Sequence, residues 1–174
     1  MAEQPYAIEM RGITKAFGSV VANRDVNLTL RRGEILSLLG ENGSGKTTLM
    51  NMLSGIYAPD QGEILVDGKP ASIASPEDAK RLGIGMVHQH FKLVDVFSAA
   101  DNIWMGQEKA GFLLRRSRYD VISETAKKFG FELDPKKKVQ NMAVSEKQTL
   151  EIIKVLCYGA KVIILDEPTA VLTV

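Results

Sequence analysis

The segment Gly40–Thr47 (GENGSGKT) carries the most specific chemistry in this sequence. It matches the pattern G-x-x-x-x-G-K-[ST], in which glycines let successive backbone N–H groups curl around phosphate oxygens. Lys46 can reach the β- and γ-phosphates of a nucleotide, and the Thr47 hydroxyl can bind Mg²⁺. Such a loop needs a strand before it and a helix after it. The near-continuous apolar run Glu34–Leu39 predicts the buried strand, and Thr47–Leu53 reads as the start of the helix.

A second apolar run, Val162–Leu165, is followed at once by two acids. Asp166 is a candidate partner of Mg²⁺, and Glu167 could polarise an attacking water molecule. Taken alone, this pattern is equally typical of a strand that ends in two solvated carboxylates. In combination with the phosphate loop it predicts a nucleoside triphosphatase, without choosing among the classes of such enzymes.

Four longer segments together resemble the ATP-binding domain of ABC transporters. Residues 40–69 are similar to the family's Walker A region and its continuation P-x-x-G-x-I-x-x-D-G, here Pro59–Gly68. GMVHQHF resembles the Q-loop, ILDEPTAVLT resembles Walker B with the D-loop at Ala170–Thr173, and KAFG resembles the A-loop. Within the family, VHQHF, SEKQTLEIIKVL and EPTAVLT are most similar to importers of simple sugars and nucleosides, in particular to the N-terminal half of their fused ATPases.

This resemblance implies ATP and Mg²⁺ as cofactors and assigns roles by position. Phe17 would stack on the adenine, although a core aromatic is the alternative for this residue. The implied nucleotide-binding residues are Phe17, Gly40, Asn42, Gly43, Ser44, Gly45, Lys46, Thr47 and Thr48. The implied metal-site residues are Thr47, Gln89 and Asp166, and the implied catalytic residues are Glu167, Gln89 and Lys46.

The segment Met142–Glu146 departs from the family's signature motif, which usually reads LSGGQ or LSVGE. In the family this motif caps the γ-phosphate of ATP bound to the opposite domain, so the implied residues here are Ala143, Val144, Ser145 and Glu146. Alanine replaces the usual serine and removes a hydroxyl donor, and Ser145 replaces a glycine. Either this half-site is weakened, or the helix dipole and the backbone donors of residues 144–147 suffice.

The predicted architecture is an α/β P-loop NTPase core with an antiparallel β subdomain and a helical insertion. We expect an ATP-binding core at 1–89 and 158–174 and a helical subdomain with the signature region at 90–157. We also expect the C-terminal part of the domain to be missing, because the family's switch histidine lies beyond Walker B. His88 and His90 cannot be carried over to that role.

Composition argues against several other classes of protein. The formal net charge of +1 gives no electrostatic case for nucleic acid, and no apolar stretch approaches the roughly 20 residues that span a bilayer. The single cysteine, Cys157, excludes an internal disulfide. Expected partners are transmembrane permease subunits, a second nucleotide-binding domain and, indirectly, a solute-binding protein. The expected location is the cytoplasmic face of the membrane, with the fragment alone soluble.

Two other functions stay open at this point. One is an ABC ATPase that acts on ribosomes or DNA, which co-purification with nucleic acid rather than with a permease would reveal. The other is a regulatory nucleotide-binding module without catalysis, which the altered signature favours and a turnover assay would test.

Overall fold

The computed structural model describes residues 6–88, 91–105 and 115–166, and the chain divides into two compact units, residues 1–84 and 85–174. Unit 1 is mostly β structure, and unit 2 is mostly helical. The elements are β1 (Tyr6–Phe17), β2 (Val20–Arg31), α1 (Lys46–Leu53), β3 (Gln61–Val66), β4 (Lys69–Pro70), α2 (Pro76–Arg81), β5 (Ile84–Val87), α3 (Ala99–Trp104), α4 (Arg115–Lys128), α5 (Val144–Cys157) and β6 (Val162–Leu165).

An antiparallel sheet with the strand order β2-β1-β3-β4 organises unit 1. Its central strand, β1, buries Ile8, Met10 and Ile13, as expected for a strand with one face against a core. The turn between β3 and β4 is Asp67–Gly68, and both residues have positive φ, 51° and 72°. An Asp-Gly pair predicts a tight turn, and the observed conformation confirms it, since it joins antiparallel strands with the correct twist.

A serine followed by a proline predicts the start of a helix, and α2 begins in this way. Ser75 is its N-cap, with its hydroxyl accepting a hydrogen bond from the Asp78 N–H at 3.2 Å, and Pro76 occupies the first helical position. The Asp78 carboxylate in turn accepts from the Ser75 hydroxyl at 2.7 Å and pairs with Arg81. These hydrogen bonds, the one from Ser75 first, lower the pKa of Asp78.

The strand expected at Glu34–Leu39 is not formed, and the prediction of a run buried on both faces is wrong for this structure. The residues lie outside any strand, and Ile35 and Leu39 are 94% and 93% exposed. A strand exists only where a neighbour supplies hydrogen bonds, and no described strand pairs with this run. Apolar composition alone therefore predicted a burial that requires a partner.

Unit 2 packs α3, α4 and α5 around one apolar core. Its members, all buried, are Ala99, Ala100, Ile103, Ile122, Ala126, Val139, Met142, Leu150 and Ile153. The bounds of α5 coincide with the predicted helix, because Leu150, Ile153 and their neighbours recur at helical spacing.

A two-stranded sheet of β5 and β6 completes unit 2. Strand β6 has the predicted bounds, but only Ile164 is buried, while Ile163 and Leu165 are exposed. The apolar composition of this run predicts a buried strand, and that prediction is wrong for one face of β6, which is uncovered. The division into a core and a helical subdomain at 89/90 and 157/158 stays a prediction.

Candidate functional site

The phosphate loop leads directly into α1, as the motif requires. Gly45 is the N-cap with φ 86° and ψ 4°, and its carbonyl accepts the first helical hydrogen bond from Leu49 N at 2.9 Å. Earlier in the loop, Ser44 N donates to Glu41 O at 3.2 Å. The first amides of a helix have no intrahelical acceptor and carry the positive end of the helix dipole, so this terminus suits an anion.

The Lys46 ammonium lies inside the curve of the loop. It donates to Gly40 O at 2.7 Å, to Glu41 O at 2.8 Å and to Ser44 Oγ at 3.3 Å. These contacts join both ends of the loop through one cation. The loop thus carries a positive charge next to the N-terminus of α1, and the binding of phosphate by these residues stays a prediction.

Asn23 on β2 holds the loop from the side, and the sequence analysis missed it. Its amide Nδ2 donates to Gly45 O at 3.3 Å, and the side chain is buried. A side chain at Gly45 would be impossible without rearrangement, because its Cβ would lie 2.3 Å from the Ala22 carbonyl oxygen. The loop therefore depends on close contact with β2. A polar residue within the apolar start of that strand was the available signal.

Phe17 lies at the end of β1 and keeps 42% of its surface exposed. Two positions earlier, Lys15 pairs across the sheet with Asn23, the residue that touches the phosphate loop. Phe17 therefore belongs to the same sheet as Asn23, and it pairs with Val20. An accessible ring is suited to stacking on a nucleobase, and the role of Phe17 in stacking stays a prediction.

The candidate metal ligands offer only oxygen. Thr47 lies in the first turn of α1 and is exposed to solvent. Asp166 directly follows β6, and its backbone N–H donates to Val87 O at 3.1 Å. Hydroxyl and carboxylate oxygens suit Mg²⁺ and do not suit a softer metal. Among the described residues, no group of three or more His, Cys, Asp or Glu side chains could hold a metal ion, and the roles of Thr47 and Asp166 stay predictions.

His88, at the end of β5, contacts the side chain of Lys92, with Nε2 and Nζ 3.0 Å apart. Burial and then the positive charge of Lys92 lower the pKa of His88, against an opposing effect of Asp166. His88 therefore makes a local polar contact. Gln89, His90, Glu167 and the D-loop residues lie outside the described residues, and their roles stay predictions.

The signature residues stand at the N-terminus of α5. Ala143 is the N-cap and offers no side-chain acceptor, and Ala143, Val144 and Ser145 are exposed. Glu146 is engaged within its own unit: its carboxylate accepts from Ala143 N at 2.8 Å and from Lys137 Nζ at 2.7 Å. These two hydrogen bonds, the one from Lys137 first, lower the pKa of Glu146. The Glu146 side chain therefore caps the N-terminus of α5. The exposed residues Val144 and Ser145 lie in the first turn of this helix, where backbone N–H groups have no intrahelical acceptor.

Two buried polar side chains fix the segment that follows Gln89, and neither was singled out from the sequence. Glu151 on α5 accepts from Lys92 N at 3.0 Å, and Asn102 on α3 hydrogen-bonds the backbone of Val94. Both groups are almost fully shielded from solvent. Their signal was a polar residue on the apolar stripe of a helix, which predicts a specific internal contact. Residues 92–94 are thereby attached to the helical core.

A comparison with protein families decides the class of protein. The family model described as "ABC transporter" matches residues 23–170, which include the phosphate loop, the signature segment and Asp166. The chain belongs to the ABC transporter family. Among the described residues of this ABC protein, no helix is long and apolar enough to cross a membrane.

Curated relatives of this ABC protein are named as import ATP-binding proteins. The chain is 49% identical over 170 residues to the guanosine import ATP-binding protein of Bacillus subtilis, with 97% of this chain and 33% of the relative covered. It is 49% identical over 168 residues to a nucleoside import ATP-binding protein of Lactococcus lactis, covering 95% of this chain and 33% of the relative. The chain thus spans about a third of the length of these relatives.

Solved structures confirm the predicted fold class. The protein cbiO1 from Clostridium perfringens, described as part of an ABC transporter complex, matches with a TM-score of 0.82 and 29% identity, covering 97% of this chain and 68% of that one. An ATP-binding cassette solved as a dimer in a post-hydrolysis state with ADP and Pi matches with a TM-score of 0.76 and 25% identity, covering 95% and 76%.

Proposed function

We propose that this ABC chain binds ATP with Mg²⁺ and belongs to the ATPase that powers an importer of nucleosides or sugars. The observation that carries the proposal is the formed phosphate loop, with the Lys46 ammonium inside its curve and α1 starting directly behind it. Family membership supplies the link to transport, and the names of the relatives supply the class of cargo.

Different residues of the described part of the chain would contact the phosphates, the metal and the base. The backbone amides of Gly43–Lys46 and the Lys46 ammonium would hold the phosphates, and Asn23 would keep the loop in shape. Thr47 and Asp166 would hold Mg²⁺, which neutralises charge on the phosphates when it is bound. Stacking on Phe17 would retain the base with little reading of its hydrogen-bonding edge.

Hydrolysis would require further groups. Glu167 is proposed to polarise the attacking water, and Gln89 to contact the metal and the γ-phosphate side of the site. The backbone amides at the start of α5, residues 144–147, would approach ATP bound to a second nucleotide-binding domain. Transmembrane permease subunits at the cytoplasmic face of the membrane would contact residues 91–105, and a solute-binding protein would act through the permease.

The direct test of binding is calorimetric titration of the 174-residue chain with ATP and ADP in the presence of Mg²⁺. We expect saturable binding of both nucleotides below millimolar concentration. Absence of binding at millimolar nucleotide by folded protein would contradict the proposal. For the partners, co-purification with a membrane permease supports an importer, and co-purification with ribosomes or DNA would contradict it.

A regulatory module that binds nucleotide without hydrolysis is the second candidate. The exposed Ala143, which replaces a hydroxyl donor, favours it. For the isolated chain we propose turnover close to background, because losing an aimed donor can cost about 10²–10³-fold in rate. A phosphate-release assay beside the Lys46→Ala chain tests this, and turnover that disappears in that variant would refute it.

Catalysis by the longer ATPase can be assigned to Glu167 by a separate experiment. Glu167→Gln keeps the shape of the side chain and removes the carboxylate, so ATP binding should persist while turnover nearly disappears. Hydrolysis at the parent rate by this variant would exclude Glu167 as the group that polarises water.

A further inference from the structure

The side chain of Tyr57 packs against Phe17. Their ring centroids are 5.1 Å apart with an interplanar angle of 72°, which is the edge-to-face arrangement that aromatic pairs favour. Tyr57 keeps 38% of its surface exposed, so the two rings form one accessible apolar surface and not part of a closed core. Exposed aromatic pairs of this kind need a reason beyond burial.

The backbone of Tyr57 is fixed to the end of α1. Ile56 N and Tyr57 N both donate to Asn51 O, at 2.9 and 3.3 Å. The N-terminus of the same helix forms the phosphate loop. One short helix therefore carries the phosphate donors at one end and an aromatic neighbour of Phe17 at the other.

Asp60 ties the same turn to the end of β1. Its two carboxylate oxygens accept from Lys15 Nζ at 2.7 Å and from Ala16 N at 2.8 Å, and its own N–H donates to Thr14 O at 2.9 Å. The hydrogen bonds from Lys15 and then from Ala16 N lower the pKa of this carboxyl. Lys15 Nζ in turn lies 5.6 Å from the centroid of the Phe17 ring. Asp60 therefore hydrogen-bonds the three residues that precede Phe17 in β1.

We infer that Tyr57 and Asp60 are positioning residues for Phe17, and that they set the part of the nucleotide affinity that comes from the base. The inference rests on the proposed binding of ATP and extends it to two residues without a motif role. A ring that is held in place loses less conformational freedom when a base stacks on it. Holding the Phe17 ring in place would therefore increase the affinity for the nucleotide. Tyr57 also enlarges the apolar surface on which the base would lie.

The test compares ATP with inorganic tripolyphosphate, a ligand without a base, by calorimetry on the 174-residue chain with Mg²⁺. Tyr57→Leu should weaken ATP binding about 2- to 10-fold, the range that the loss of one aromatic pair implies. Binding of tripolyphosphate should be unchanged, because the phosphate loop and α1 are untouched. Tyr57→Phe retains the ring and should keep the parent affinity for both ligands.

Asp60→Ala provides a second, independent variant in case Tyr57→Leu disturbs folding. It releases Lys15 and Ala16 N, and it should reduce ATP affinity in the same selective way. Equal loss for ATP and tripolyphosphate, or no loss of ATP affinity in either variant, would overturn the inference without contradicting the proposed binding of ATP by the parent chain. A parent chain that binds neither ligand would contradict the proposed function itself, and the inference with it.

Discussion

Asn102 and Val94 form a two-way hydrogen-bonded pair inside unit 2. The side-chain Oδ1 of Asn102 accepts from Val94 N at 2.7 Å, and its Nδ2 donates to Val94 O at 3.0 Å and to Ser98 O at 3.0 Å. The side-chain amide thereby satisfies both the N–H and the C=O of Val94, as a neighbouring strand would do in a sheet. Because Asn102 is fully buried, these bonds are protected from competition with water.

Asn102→Ala should destabilise unit 2 by about 1–3 kcal/mol, since it leaves the Val94 N–H without its acceptor and removes one donor each from Val94 O and Ser98 O. Asn141→Ala removes an exposed asparagine of the same unit and should change stability by less than about 0.5 kcal/mol. Denaturant unfolding followed by the fluorescence of Trp104, the single tryptophan, measures both variants. Equal midpoints for the two variants would contradict the importance of the buried amide.

Two glycines of the phosphate loop should respond differently to alanine. Gly43 and Gly45 both have positive φ, 85° and 86°, and share the same backbone strain of about 1–2 kcal/mol on substitution. A Cβ at Gly43 meets nothing within 4 Å, whereas one at Gly45 would lie 2.3 Å from Ala22 O. Gly45→Ala should therefore lower the melting temperature and the ATP affinity clearly more than Gly43→Ala, as measured by circular dichroism and calorimetry. Similar effects would show that β2 does not constrain the loop.

Lys46→Ala should weaken the binding of ATP and of tripolyphosphate alike. A charge-assisted contact with phosphate contributes about 1.5–3 kcal/mol, so we expect a loss of about 10- to 150-fold in calorimetric titrations. Lys69→Ala, which removes an exposed lysine from β4, is the matched control and should leave both affinities unchanged. A similar loss in both variants would mean that overall charge, and not the loop geometry, determines binding.

Ala143→Ser should stabilise unit 2 by about 0.5–2 kcal/mol. Position 143 is the N-cap of α5, with φ −65° and ψ 162°, a conformation from which a serine hydroxyl can accept from the first-turn amides. The parent alanine cannot supply that hydroxyl and is the matched comparison. The midpoint of denaturant unfolding, again followed by Trp104, reports the difference. If serine gave no stabilisation over the parent alanine, the helix would already be capped by Glu146 alone.

The parts of the fold that local patterns determine were predictable. The bounds of α5 and β6 and the N-cap Ser75 follow from apolar spacing and capping preferences within a few residues of sequence. The contacts around Phe17 were not predictable, because they join residues far apart in the chain. Asp60 meets Lys15 and Ala16 N across 45 and 44 positions.

The wrong prediction at Glu34–Leu39 has the same origin. Five apolar or small residues in a row describe what a segment can pair with, but not whether a neighbouring strand is there. The phosphate loop was recognised because its function requires one specific local sequence. Asn23 was missed because its contact with Gly45 is a property of the folded sheet and helix together.

The exposed run from Ile35 to Leu39 has a thermodynamic consequence for the loop that follows it. Leu39 is bonded directly to Gly40, while the other flank of the loop is already held by Asn23 and α1. Any strand that paired with this run would restrict the remaining flank of the loop. Nucleotide binding would then lose less conformational entropy, because part of the loop would already be ordered. Linkage is reciprocal, so ATP would strengthen such pairing by the same factor. Nucleotide binding in the loop and strand pairing at residues 35–39 would then stabilise each other.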